Sequence, residues 1–228
     1  MFQTDPFALI VLLIGLSLLP FVAMIATSYL KIVVVMSLIR NALGIQSIPP
    51  NMVLNALAMI LTFYIMAPVC GDSWNIIKEE RAAMAQRQAE GAAPQPDQPF
   101  YETDIVEKAA EPFREWLRRQ VGDKERAFFV STAERLWAKE DKEAEIDPDS
   151  LYILLPSFCV SELTKAFQIG FLVYLPFIAI DIIVSNILLA MGMMMVSPVT
   201  ISLPFKLLLF VMVDGWTLLI QGLVRSYV

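Results

Sequence analysis

Asp181 interrupts an apolar run, LPFIAIDIIVSNILLAMGMMMVSP, with a carboxylate. An ionised carboxylate in such surroundings is expensive and faces either a partner or a water-filled cavity. Lys206, near the start of the next apolar run, supplies a counter-charge, either across the intervening turn or on a neighbouring copy. The pair reads first as a packing salt bridge. The second reading is a proton relay or substrate contact in an ion- or proton-coupled membrane transporter, weakened because Asp181 has no further titratable residue near it in sequence. Glu162 and Lys165, in SELTKAF, stand three residues apart and can pair on a helix whose start Ser161 would cap. Asp214, beside Gly215, reads as a polar notch at a helix interface.

Four methionines fall within five positions in MGMMM, residues 191–195. Thioether side chains are flexible and polarizable and commonly fill apolar gaps. Met193, Met194 and Met195, however, come just before the helix-breaking step Ser197-Pro198, which puts them on a loop, while Met191 stays with the preceding helix as packing. An apolar loop at membrane depth must be buried in protein or line a cavity. Repeated around an oligomer, it makes a compliant gasket. Cys70 and Cys159 bracket the polar middle of the chain and are either stapled by a disulfide or, as the simpler reading, two ordinary apolar cysteines. Histidine is absent, which removes the commonest metal ligand and general base. No GxxxxGK[ST], GxGxxG, CxxC, HExxH or GxSxG occurs. No enzyme activity, cofactor or metal is therefore expected.

The elements that must hold these residues are written in the charge pattern. The chain has 228 residues, 57% of them hydrophobic, and its charges are concentrated in residues 71–150, with 19 of the 23 acids and 12 of the 17 bases. Residues 6–30 carry no charge and are long enough, at about 1.5 Å per residue, to cross a hydrocarbon core of roughly 30 Å. This helix should continue to about residue 38, with a kink at Pro20. It breaks at RNALGIQSIPPN, after which Pro49 and Pro50 suit the first turn of a new helix. Further apolar runs cover residues 52–70, 166–191 and 203–224. The fold class that follows is an all-α membrane protein in which two apolar helical hairpins with kinked helices flank a small helical soluble insert. The N-terminal hairpin takes residues 1–70, the acidic insert 71–150, and the C-terminal hairpin with its methionine loop 151–228.

Within the insert, EGAAPQPDQP at 90–99 reads as a flexible linker. Helical spacing places Ile105, Ala109, Phe113, Trp116 and Leu117 on one face, and Phe128, Phe129, Leu136 and Trp137 on another. Lys31, Arg40 and Lys206 lie near the two short loops, so the positive-inside tendency puts those loops in the cytoplasm and the insert on the periplasmic side of a bacterial inner membrane. The start carries Asp5 in place of a basic segment and reads as a retained first span. There is no basic stripe for nucleic acid, and an acidic insert is little attracted to anionic lipid.

Three blocks, TSYLKIVVVMSLIRNALGIQSIPPNMVLNALAMIL, LPFIAIDIIVSNILLAMGMMMVSP and ISLPFKLLLFVMVDGW, occur in that order around the acidic insert. They resemble the R subunit of the type III secretion export apparatus, the SctR family, injectisome counterpart of the flagellar export protein FliP. The resemblance covers residues 7–70 and 150–228. It implies a homopentamer that joins the S and T subunits in a helical pseudo-hexameric cone, through which unfolded protein substrates enter. Its further partners would be the U and V subunits, the inner rod or needle base, substrates in transit and membrane lipid. The cone would stand largely above the inner membrane plane, with the apolar hairpins buried against neighbours. By the same resemblance Met193, Met194 and Met195 would form the pore gate, and Asp181 and Lys206 a salt bridge between subunits. Glu162, Pro49 and Pro50 would serve assembly or structure. Flagellar members usually carry a cleavable signal, so this start favours the injectisome branch.

Overall fold

Leu, Ile, Val, Met and Ala fill long stretches of this chain with few polar residues among them, and such stretches fold as helices. The computed structural model describes residues 6–45, 48–89, 101–137 and 147–227. Every regular element among these residues is a helix: α1 (Pro6–Ile25), α2 (Tyr29–Ala42), α3 (Asn51–Ala89), α4 (Tyr101–Gln120), α5 (Asp123–Trp137), α6 (Leu151–Ala190), α7 (Pro198–Met212) and α8 (Gly215–Arg225). Two of them, α3 and α6, are long and apolar enough to cross a membrane, and the bent pairs α1–α2 and α7–α8 raise the number to as many as four. The protein is thus an all-α membrane-type protein. The 90–99 linker lies outside the described residues.

The chain divides into two compact units, Met1–Thr62 with Glu162–Val228, and Phe63–Ser161. In the first, α2 buries Ile32, Val35, Met36 and Ile39, a spacing that lines one helix face. Leu54 and Ala58 of α3, Phe177 of α6, Phe210 of α7 and Leu223 of α8 complete this core. Each large side chain buried there contributes about 1.5–3 kcal/mol. Gly170 of α6 lets Leu38 approach, since a Cβ at 170 would lie 2.3 Å from Leu38 Cδ1. In the second unit, Trp116 and Leu117 of α4 and Ile153, Leu154 and Phe158 of α6 are buried, and the Trp116 and Phe158 rings pack 5.2 Å apart.

Several sequence readings shift. The first apolar segment passes through Pro20 as unbroken helix and bends instead by 58° between Ile25 and Tyr29. There Thr27 Oγ1 donates to the Ala23 carbonyl at 2.7 Å, a back-bond that bends helices. Ser161 does not cap a helix, because α6 already starts at Leu151. The turn Asp147-Pro148-Asp149-Ser150 starts it: Asp149 N donates to Asp147 Oδ1 at 2.9 Å, and the Ser150 carbonyl takes the first helical bonds. Ser161 Oγ instead accepts from Gly122 N at 3.3 Å. No break falls at residue 70, and α3 runs on to Ala89. On α5, Phe128 and Leu136 of the expected face are exposed and Phe129 is half-buried, while the small Ala133 is buried. Asp214 is no notch along a helix. It adopts φ 52°, ψ 49°, the left-handed conformation that ends α7, and α8 leaves at 60° to it.

Candidate functional site

Three groups of side chains in the first unit carry the polar chemistry, and each is held by helices whose apolar faces have just been described. The first is a clasp between α6 and α7. Lys206 Nζ donates to Asp181 Oδ2 at 2.7 Å, and Ser202 Oγ donates to Asp181 Oδ1 at 2.5 Å. Ser202 and Lys206 are one turn apart on α7, so both face α6. Lys206 Nζ also donates to the Ala42 carbonyl at 3.2 Å. Ala42 is the last residue of α2, where carbonyls lack intrahelical partners and the helix end carries partial negative charge. One ammonium thereby neutralises a carboxylate and caps a helix. Lys206 is buried, whereas the Asp181 side chain keeps 32% of its surface exposed. The structure thus brings the sequence-predicted pair together within one chain.

The second group is a buried ionic knot around Glu162. This carboxylate is 0% exposed, and Lys31, 1% exposed, places Nζ 3.3 Å from Oε2. Lys165 Nζ is 3.3 Å from Oε1, as the i, i+3 spacing predicted. The Tyr227 hydroxyl donates to Oε2. The same tyrosine lays its ring under Lys31, with Nζ 3.5 Å from the ring centroid, a cation–π contact in a dry setting. Burial first, and the Glu162 carboxylate second, hold the Tyr227 phenol well above the ordinary tyrosine range, so it remains a donor. In the sequence Lys31 stands out only as an orientation signal, and Tyr227 and Ser202 carry no signal of their own. A lysine inside the apolar stretch YLKIVVVM was the available clue for the first, since such a base needs an acid.

The third is the methionine loop. Gly192, at φ 73°, closes α6: Gly192 N donates to the Leu189 carbonyl at 3.0 Å and Met193 N to the Leu188 carbonyl at 2.9 Å. This is a Schellman cap, which the Met-Gly-Met order encodes through its one residue free of a Cβ. Met193, Met194 and Met195 follow on the non-helical stretch before Pro198, the first residue of α7. Met194 is 83% exposed and Met195 101%, against 43% for Met193. Met191 also lies beyond α6 and is largely exposed, so it does not serve as packing within this chain.

Pro49 and Pro50 precede α3, and the Pro50 carbonyl accepts from Val53 N at 3.0 Å to start it. Arg40 fastens this corner by donating to Asn51 Oδ1, with the Pro49 carbonyl 3.4 Å from Nη1. No disulfide joins Cys70 and Cys159. Among the described residues no three His, Cys, Asp or Glu side chains gather where they could hold a metal ion.

Comparison with known proteins gives a consistent picture over the whole of this arrangement. Residues 12–223 match the FliP family. The chain is 49% identical over 223 residues to the Yop proteins translocation protein R of Yersinia pestis, covering 98% of this chain and 97% of the relative. It is 47% identical over 226 residues to the virulence protein YscR of Salmonella typhimurium, covering 98% and 97% respectively. The flagellar biosynthetic protein FliP of Pectobacterium carotovorum subsp. carotovorum is 44% identical over 218 residues, 96% of this chain and 77% of that protein.

Proposed function

The chain belongs to the FliP family, and from that premise we propose that it is a structural and gating subunit of the export gate of a type III protein secretion system. It assembles with four further copies of itself and with the S and T subunits to form the opening for unfolded protein substrates in the bacterial inner membrane. The U and V subunits, the inner rod or needle base and membrane lipid are its other neighbours, and the acidic insert of residues 71–150 lies on the periplasmic side. The subunit carries out no catalysis. The injectisome rather than the flagellum is the machine favoured by the names of the relatives, a Yop translocation protein and a virulence protein.

The observation that carries this reading is the methionine loop. Three successive thioethers stand on a short loop, the last two almost wholly exposed, although burial would be their ordinary state. In the assembly they meet around the axis. Dispersion contacts of about 0.1–0.2 kcal/mol per atom pair exclude hydrated ions collectively, yet each is weak enough for a passing polypeptide to push aside. Pairing of Asp181 with both Lys206 and Ser202 supports a packing role over a proton relay, and the exposed third of its side chain leaves it able to meet a neighbouring copy as well. Replacing Met193, Met194 and Met195 together by alanine should leave the complex assembled and raise ion leakage across the membrane of cells that contain it. Leakage equal to that of the parent would refute the gate.

A further inference from the structure

The two oxygens of Asp181 are not held by the same kind of group. Lys206 takes Oδ2 and Ser202 takes Oδ1, from positions one turn apart on α7. Ser202 Oγ also lies 3.1 Å from the carbonyl of Val199 on its own helix, but its single proton goes to the carboxylate, the stronger acceptor. Ser202 is fully buried, so no solvent competes for that hydroxyl. A carboxylate held at one oxygen is a pivot, about which α7 can rotate and slide. Held at both oxygens, from two successive turns, it fixes rotation and axial register together. A long, flexible lysine cannot do this alone, whereas the serine hydroxyl sits on a one-carbon stem and tolerates little displacement.

We propose that Ser202 is a positioning residue for the methionine loop, its hydroxyl setting the register of α7 against α6 and thereby where residues 193–195 stand. The loop joins the ends of these two helices, Ala190 and Pro198. Its α6 end is fixed by the Gly192 cap and its α7 end has no such fastening, because Ser197 makes no side-chain cap bond. The position of the α7 end therefore depends on the clasp. What the loop does rests on the proposed gate, but where the loop stands can be measured without reference to transport.

The test uses the full chain in its native membrane complex, with Cys70 and Cys159 replaced by serine and alanine and Met194→Cys as a reporter. The rate of labelling by a membrane-impermeant maleimide reads the loop's placement, and native-gel mobility reads assembly. Ser202→Ala removes one oxygen from a helix that alanine suits, so the complex should form at the parental level. Labelling at position 194 should change about tenfold, the scale of losing one hydrogen bond to a charged group. Ser202→Thr, which keeps the hydroxyl, should restore the parental rate. An unchanged rate in Ser202→Ala, or a threonine variant that labels like the alanine one, would overturn the proposal. If labelling changes while ion leakage does not, Ser202 still positions the loop and it is the gate reading that fails.

Discussion

Glu162 receives three donors in a place water does not reach, and Lys31 depends on it for its only nearby negative charge among the described residues. Glu162→Ala would strand the Lys31 ammonium, and removing one partner of a buried pair costs about 3–5 kcal/mol. Tyr227→Phe keeps the ring beneath Lys31 and removes only the hydroxyl, which should cost about 1–3 kcal/mol. Chemical unfolding in detergent should rank parent, Tyr227→Phe and Glu162→Ala in falling order of stability. The phenol adds a dependence on pH. Its proton is held more tightly in the folded chain than in the unfolded one, so its contribution is complete below the ordinary tyrosine value of 10.0 and declines as pH rises above it. Tyr227→Phe should lose that alkaline decline, and a phenylalanine variant with the parental pH profile would remove Tyr227 from the account. The acids of this site were legible in the sequence because a carboxylate in an apolar run stands out. Ser202 and Tyr227 were not, since a hydroxyl costs little to bury and leaves no mark on a hydropathy pattern.

Helix termini decide where the polar groups come to lie. The bend between α7 and α8 is set by an Asp-Gly pair, a turn signal that an otherwise apolar stretch disguised as one continuous span. Gly215 has a separate reason to be glycine, because a Cβ there would stand 2.3 Å from Phe210 Cε2. Gly222, on the same helix, has nothing within 4 Å of the corresponding position. Gly215→Ala should therefore destabilise by about 1–3 kcal/mol through overpacking. Gly222→Ala should stabilise by up to about 1 kcal/mol through helix propensity. Thermal unfolding of the two variants in one detergent checks the opposite signs, and two shifts in the same direction would contradict this packing. Proline proved a weaker guide than the Asp-Gly pair. Pro20, Pro68 and Pro204 all sit inside helices that continue past them, as apolar surroundings allow when the alternative is unpaired backbone.

Large apolar side chains stand exposed along α1, α3, α6 and α7, among them Leu13, Phe63, Phe171 and Val211. Such a surface belongs against lipid or against other protein. The apolar runs made the membrane class and the helical fold readable from sequence, and the order of three blocks made the family readable. Helix lengths were not readable, because the apolar run that marks α3 ends at residue 70 while the helix itself continues through charged residues to Ala89. At this scale Asp181→Asn separates the proposed subunit from a transporter. The subunit should lose assembly on native gels as the clasp loosens, whereas a transporter would assemble and lose flux. The 40 residues of α6 give a further consequence. At about 1.5 Å per residue they measure roughly 60 Å, twice the thickness of a hydrocarbon core. A bilayer can cover only part of such a rod, so thinning or thickening the lipid moves the waterline along it without changing its length. Whatever the lipid composition of the membrane, roughly half of this helix must therefore find its surroundings outside the hydrocarbon, in water or against other protein.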